Sequence, residues 1–530
     1  MTEFLVRYLY LAGVEGDALL LLNNRLANRR TYLDWNKTIM GPIIDEHGVE
    51  QGGINSSDFY KLYNNELLET LQKSCQGVQM GSKLTISAVG QADDVLICAN
   101  NIYMLYNLLL LALEYCKKLK VELCADKTKL LLYSDNTYMV PLNPIVDNSE
   151  RIDFTEEAEH VGIIRSTRGN IPNIMNRILC SKKATNATLA CGLARGHRSN
   201  PAACIRVLNA YGTPVLMSGL GSLLLNPTEI ALVHQHHKNT LQNFQKLHND
   251  TPQSFIFFMA GSLPATAILH LRQFCLFGMI CRLPADPLHK HAIHALTIAK
   301  QNDSSWFSRI RHLCLQYSLP HPLTFLNTPP TNLKFKSLIK SKVLDFWETK
   351  LRNDAAPLTS LSYFKPSYMS LARPHAIWWT AGANPYEVSK AVIQCRMLSG
   401  RYRTFQLSSN WSESRDASCP APSCTSQTES LEHILIHCPA YSTTRDGLLR
   451  KWRAVKHPGI LELVKKAVSE HSTYLMQFIL DASVQPESQS LMRTCGEDIL
   501  YTLFSLTRSW CYSIHRDRLN LIKRLKSSKN

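Results

Sequence analysis

Four side chains late in the sequence have the types and spacing of a metal site: Cys419-x4-Cys424-x8-His433-x4-Cys438. Three thiolates and one imidazole suit a tetrahedral Zn2+ ion, and soft sulfur donors favour it over Mg2+. Pro420 and Pro422 stiffen the first loop, and Leu431, Ile434 and Leu435 can form a small apolar face beside the metal. His437 is an alternative ligand, but it adjoins Cys438, so His433 gives the easier geometry. The competing reading is a set of unrelated core cysteines and a surface histidine. It suits so dense and otherwise polar a cluster less well.

A second constellation is Asp93-Asp94, in a turn that starts at Gly90-Gln91-Ala92 between the short apolar runs 84–88 and 95–98. Adjacent carboxylates repel each other, and a divalent cation relieves the repulsion. Mg2+ is commonly held by one or two carboxylates while substrate phosphates and waters complete its shell. Two such ions can clamp the attacking and leaving oxygens of a phosphoryl transfer. Taken alone the pair reads better as a solvated acidic turn, where Asp is common.

These groups need elements to hold them. Residues 19–26 have helical character, and Tyr60, Leu62, Tyr63, Leu67, Leu68 and Leu71 recur at helical spacing. The pattern predicts strand, tight turn and strand around Asp93-Asp94, a second apolar helix over 102–120 and a short strand over 129–133. Residues 172–283 are mostly helical, and the mixed stretch to about 390 is broken at Pro320-His321-Pro322 and Pro329-Pro330. From Asp498 one long amphipathic helix is expected, ending in Arg516, Arg518, Lys523, Arg524, Lys526 and Lys529. That tail could grip RNA or DNA, or be a solvated helix end.

With 530 residues the chain is too long for one core, and 45% hydrophobic content excludes a disordered tail. The formal charge of +16 is spread along the chain. Such a field suits a polyanion such as nucleic acid, and equally a basic protein without one. There are 16 cysteines, and residues 1–13 lack a signal-peptide layout, so disulfides are not expected. The apolar stretch 255–271 carries Pro264 and is short for a bilayer, which predicts a broken pair of core helices and no membrane partner. The expected location is the nucleus, the cytoplasm or both, not the secreted space.

Several segments, taken in order, resemble reverse transcriptases. The run Gly48-Val49-Glu50-Gln51-Gly52-Gly53-Ile54-Asn55-Ser56-Ser57-Asp58-Phe59-Tyr60 resembles their motif B, a Gln-Gly pair and loop before a long helix. Ala92-Asp93-Asp94 resembles motif C, Lys127-Thr128 motif D, and His160-Val161-Gly162-Ile163 motif E. Arg396-Met397-Leu398-Ser399-Gly400-Arg401-Tyr402-Arg403-Thr404, then Trp411, then the Cys/His cluster through His437-Cys438-Pro439-Ala440, resembles the C-terminal segment of jockey-like LINE (non-LTR) retrotransposon proteins. Gln91 stands where the family has an aromatic residue, Ser57 where it often has Pro, and Glu50 where a basic residue is usual. These departures bear on nucleotide selection more than on fold.

The resemblance implies that Asp93 and Asp94 are catalytic Mg2+ ligands, that Gln51 and Gly52 line the template and nucleotide pocket, and that Lys127 lies near the nucleotide phosphates. It also implies a nucleic-acid-binding zinc knuckle, where Arg396, Arg401 and Arg403 could meet phosphates. Tyr402 could stack on a base there; core packing suits Trp411 better. The family draws another Asp from a motif A strand upstream of motif B. Residues 1–47 hold no strand of that pattern, only a helix and a hairpin around 32–47; Asp17, Asp34 and Asp45 are its acidic candidates, and Asp17 reads as a helix N-terminal residue. The expected fold is α+β. A partial right-hand polymerase palm covers 1–165, followed by a helical thumb-like region over 166–285 and a helical connector over 286–395. A zinc-knuckle module occupies 396–445, and a C-terminal helical region with a basic tail 446–530. The expected function is RNA-directed DNA synthesis by an N-terminally truncated copy of weak or no activity. Its partners would be an RNA template, a DNA primer or target and deoxynucleoside triphosphates, with an endonuclease or motif A portion supplied by another chain. The alternative is a non-catalytic remnant that holds nucleic acid through its knuckle and basic surfaces.

Overall fold

The computed structural model describes residues 2–27, 29–45, 49–50, 53–80, 84–119, 121, 123–124, 126–133, 145–147, 150–190, 199–284, 286–298, 304–409, 416–424 and 427–527. The chain is mostly helical, and its described strands form five separate two-stranded antiparallel ladders. Residues 1–173 with 283–298 make one compact unit, and residues 174–282 with 299–530 make a second. The segments expected as thumb-like region, connector, zinc module and terminal region thus fall almost wholly within one unit. The described strands of the first unit are hairpins, and among the described residues they do not join into one sheet.

In the first unit, Ser56–Lys73 buries Phe59, Tyr63, Leu67 and Leu71, a stripe of four-residue steps. It packs against Ile102–Leu119, which contributes Leu108, Ala112, Tyr115 and Leu119. Thr2–Leu11 and Gly16–Leu26 add Leu5, Leu9 and Leu26, and Asp17 lies in the first turn of the second of these helices. Each such side chain contributes about 1.5–3 kcal/mol by leaving water. An adjoining face of Ile102–Leu119 places Leu109 and Leu113 against Leu130 and Ile152. Lys118 Nζ pairs with Glu66 Oε1 at 2.7 Å across the two central helices, and Tyr115 donates to the Tyr63 carbonyl at 2.9 Å.

Strand pairing departs from the sequence reading in two places. The run 84–88 is divided: Leu84–Ile86 pairs with Val78–Met80, and Ala88–Gln91 pairs with Asp94–Ile97. The break falls at Ser87, whose N–H donates to Gln72 Oε1 at 3.2 Å. Residues 129–133 supply only a single parallel bridge, Leu130 to Phe154. The hairpin near residues 32–47 is present as Arg29–Trp35 with Thr38–Asp45, and no described strand precedes it.

In the second unit the apolar stretch is a pair of helices, Gln253–Ala260 and Ala265–Cys281, bent by 61° around Pro264. Phe255 to Ala260 are fully buried, which accounts for their composition. Among the described residues no single helix is long and apolar enough to cross a membrane. The last helix, Ile499–Ser527, buries Leu503, Phe504, Trp510, Cys511 and Ile514 and packs along Pro385–Leu398.

Candidate functional site

Cys419, Cys424, His433 and Cys438 converge in the second unit, all buried, with their donor atoms within 4.8 Å of one another. Sγ of Cys419 and Cys438 are 3.8 Å apart, Sγ of Cys424 and Cys438 3.5 Å, and Cys424 Sγ lies 3.6 Å from His433 Nε2. A tetrahedral ion with metal–sulfur bonds of about 2.3 Å and a metal–nitrogen bond of about 2.0 Å separates its sulfurs by about 3.8 Å, and sulfur from nitrogen by about 3.5 Å. A disulfide would need sulfurs about 2 Å apart. The cluster has the geometry to hold a metal ion, and its donor set suits one such as zinc. Among the described residues it is the one group of this kind.

Local backbone explains how these spacings meet. The N–H of Cys419 bonds to the Gln427 carbonyl at 2.7 Å and that of Glu429 to the Ala417 carbonyl at 2.8 Å. These bonds close a small ladder around the first two cysteines. His433 and Cys438 are five residues apart, and on an α-helix they would point about 140° from each other. Here His433–His437 is a π-turn, closed by the Cys438 N–H on the His433 carbonyl at 2.7 Å, which brings both ligands to one side. His437 is exposed and faces Glu432 Oε1 at 3.3 Å, so the imidazole in the cluster is His433.

Burial pushes the Cys419 and Cys438 thiols above their ordinary range and lowers His433. Without metal the two thiols stay protonated at neutral pH while the imidazole is neutral, the form that ligates. Zinc uptake must therefore release protons.

The cluster is locked to the last helix. Glu429, fully buried, receives Nε and Nη2 of Arg518 at 2.8 and 2.7 Å and the Phe405 N–H at 2.7 Å. The Arg518 guanidinium also lies 5.6 Å from the Tyr402 ring centre and 5.8 Å from that of Phe405. Trp510 Nε1 donates to the Leu435 carbonyl at 3.2 Å, and Thr444 Oγ1 to Asp517 Oδ2 at 2.5 Å. This clamp was not visible in the sequence, because Glu429 and Arg518 are 89 residues apart.

Side chains of the flanking motif are engaged within the protein. Tyr402 is buried, with its hydroxyl 2.7 Å from Nδ1 of His515, and does not present its ring for stacking. Arg396 Nε donates to the Lys246 carbonyl at 2.8 Å, Arg401 reaches Asp250 at 3.4 Å, and the exposed Arg403 reaches His248 Nε2 at 2.7 Å. Gly400 takes φ +66°, and a Cβ there would lie 2.0 Å from the Ser360 carbonyl oxygen. Trp411 lies outside the described residues.

Asp93 and Asp94 lie exposed in the first unit, at the tip of the Ala88–Gln91/Asp94–Ile97 hairpin. The two-residue turn is made by Ala92, at φ +53°, and Asp93. A left-handed alanine costs about 1–2 kcal/mol, and such outliers cluster at functional turns. The hairpin lies on Ser56–Lys73: a Cβ at Gly90 would come within 3.1 Å of Leu68 Cδ1. Asp93 is in electrostatic reach of Tyr60, whose hydroxyl burial, and then that charge, hold above its ordinary range. Asp94 reaches His160, which burial and Arg165 depress and Asp94 opposes. His160 ends the strand Glu157–His160, which turns through Val161-Gly162, both at positive φ, into Ile163–Ser166.

Gln51 and Gly52 lie outside the described residues. Their flanks are joined, since Ser56 Oγ donates to the Glu50 carbonyl at 2.6 Å and Glu50 pairs with Arg25 at 2.7 Å. That ion pair gives Glu50 a local reason to be acidic. Lys127 is exposed in a turn closed by its N–H on the Cys124 carbonyl, and no described hydrogen bond or ion pair links it to the acidic tip. Asp34 is exposed on its hairpin, and Asp45 lies at the end of the partner strand. No protein-family model matches this chain, and a search of curated proteins finds no match.

Proposed function

We propose that this chain is a LINE-type retrotransposon reverse transcriptase of weak or no activity on its own, which binds nucleic acid. The observation that carries the reading is the convergence in one unit of three segments distant in sequence. The Asp93-Asp94 tip stands on the helix Ser56–Lys73, in electrostatic reach of Tyr60 in its second turn, and of His160 at the end of the strand Glu157–His160. The order and the meeting of these segments are what a polymerase palm requires.

The donor set fits Mg2+, which one or two carboxylates hold when phosphates complete its shell. Bound there, Mg2+ would supply charge neutralisation for nucleotidyl transfer. The residues' own part is to present two carboxylates on a rigid turn, with the helix start beside them for template and nucleotide. Among the described residues no third carboxylate joins the pair. A motif A aspartate from another chain would complete the set, and without it activity is weak or absent. Zn2+ in the Cys3His cluster would fix the fold of the second unit, whose exposed basic groups, Arg403 among them, meet phosphates.

The reading that this chain only holds nucleic acid is favoured by the fully assembled Cys3His cluster beside an incomplete carboxylate set. Primer extension on an RNA template with Mg2+, wild type against Asp93→Ala, separates the two. Trace extension abolished by the substitution supports the polymerase reading. No extension with salt-sensitive RNA binding supports the binding reading. Neither extension nor binding refutes both.

A further inference from the structure

The hairpin Arg29–Trp35 with Thr38–Asp45 is open on both faces. Its Tyr32, Leu33, Trp35, Ile39, Ile43 and Ile44 are 48% to 72% exposed. At roughly 100 Å2 each they offer about 600 Å2 of apolar surface over the two faces. So much exposed apolar surface on one element marks an interaction site. Among the described residues no further strand pairs with either edge.

The two edges differ. On Thr38–Asp45 the register shifts at Gly41-Pro42, which together face Tyr32, and Pro42 has no N–H to donate. A bulge and a proline both keep an edge from pairing. Arg29–Trp35 carries neither. Asn36 and Lys37, both at positive φ, make a two-residue turn, so Trp35 and Thr38 are a hydrogen-bonded pair. Inward and outward backbone groups alternate from there. Arg30, Tyr32 and Asp34 therefore turn their N–H and C=O to the open edge. The sequence Arg30-Thr31-Tyr32-Leu33-Asp34 is also complementary to its own reverse. In an antiparallel pair of copies centred on Tyr32, Arg30 of each copy stands opposite Asp34 of the other. Both side chains are exposed, and the charge register coincides with the outward backbone register.

We propose that a second copy of this chain pairs along Arg29–Trp35, antiparallel and centred on Tyr32, to give a two-fold dimer with a continuous four-stranded sheet. Main-chain hydrogen bonds supply the affinity, and the two Arg30–Asp34 pairs set the register. A self-complementary edge closes under two-fold symmetry, and Pro42 blocks the outer edges, so assembly stops at two copies. A standard interface takes about 800 Å2 from each partner. Pairing draws directly on the apolar side chains of the first strand, roughly half of the exposed surface, so the dimer is of micromolar rather than nanomolar affinity. The inference is independent of the polymerase reading.

The test is sedimentation velocity of the full chain over roughly 1–100 µM, as wild type, Tyr32→Pro, Asp34→Arg and Arg30→Asp. Wild type should pass from monomer to dimer across that range. Tyr32→Pro removes an outward N–H, leaves the hairpin's own ladder in place and should abolish the dimer. Asp34→Arg and Arg30→Asp each set like charges opposite one another at both ends of the pairing, and each should weaken dimerisation about tenfold or more. An equimolar mixture of the Asp34→Arg and Arg30→Asp chains should dimerise as wild type does, because every charge then faces its opposite. That recovery requires the proposed register, and damage to the fold does not produce it. A wild-type chain that stays monomeric at the highest concentration overturns the proposal and leaves the hairpin to another protein or segment. Unchanged dimerisation in Tyr32→Pro and Asp34→Arg, assembly beyond two copies, or a mixture that dimerises no better than either variant alone also overturns it.

Discussion

The Arg518–Glu429 pair makes the sharpest prediction about stability. Both side chains are nearly excluded from water, at 7% and 0% exposure, and three hydrogen bonds converge on one carboxylate. Arg518→Met keeps most of the stem and removes the charge. Glu429 is then left buried with the Phe405 N–H as its remaining donor among these three. Breaking a buried pair on one side costs about 3–5 kcal/mol. Replacing both partners, as in Arg518→Met with Glu429→Leu, should recover most of that loss, because no charge is then stranded. Urea unfolding followed by tryptophan fluorescence reads the second unit directly, since Trp452 and Trp510 are fully buried there with ring centres 4.6 Å apart. Urea also leaves ionic strength unchanged. A loss below about 1 kcal/mol in the single variant, or a double variant as unstable as the summed singles, refutes the clamp.

Other outcomes follow from the same geometry. Gly400→Ala should destabilise the second unit by more than about 1 kcal/mol in the same unfolding assay, because the φ is left-handed and the Ser360 carbonyl blocks the added carbon. Burial holds His237 and His270 near a pKa of about 3 in the folded chain, against about 6.5 unfolded. The unfolded chain therefore binds more protons between those values, and stability should fall by about 1.4 kcal/mol per histidine per pH unit as pH drops from 6.5 towards 4. Urea midpoints across that range check this. Because the Cys419 and Cys438 thiols are held protonated, metal affinity should fall about tenfold per pH unit for each proton released as pH is lowered, and Cys424→Ser should lose bound Zn2+ in metal analysis.

Local pattern carried much of the architecture. Tyr60, Tyr63, Leu67 and Leu71 announced the helix beneath the acidic hairpin, and Pro264 the break in the apolar pair. The spacing from Cys419 to Cys438 identified the one Cys/His cluster among the described residues that could hold a metal ion. What local pattern could not supply was contact across long sequence distance. Glu429 reads as an ordinary polar residue until Arg518 is seen beside it. Tyr402 looked available for stacking because nothing nearby in sequence covers it; His515 and Arg518 do. The π-turn at His433 was hidden because five-residue spacing is silent about which turn closes it. The run 84–88 looked like one strand because Ser87 carries no turn signal of its own.

The claim on which the functional reading depends is that the Asp93-Asp94 tip gathers a divalent ion beside the start of the helix Ser56–Lys73 and the 157–166 hairpin. Fe2+ in place of Mg2+, with peroxide and ascorbate, cuts backbone close to where the ion sits. With nucleotide present, the account predicts cuts around residues 50–60, 91–95 and 158–163, all lost in Asp93→Ala with Asp94→Ala. Cuts confined to other regions, or an unchanged pattern in the double variant, contradict it.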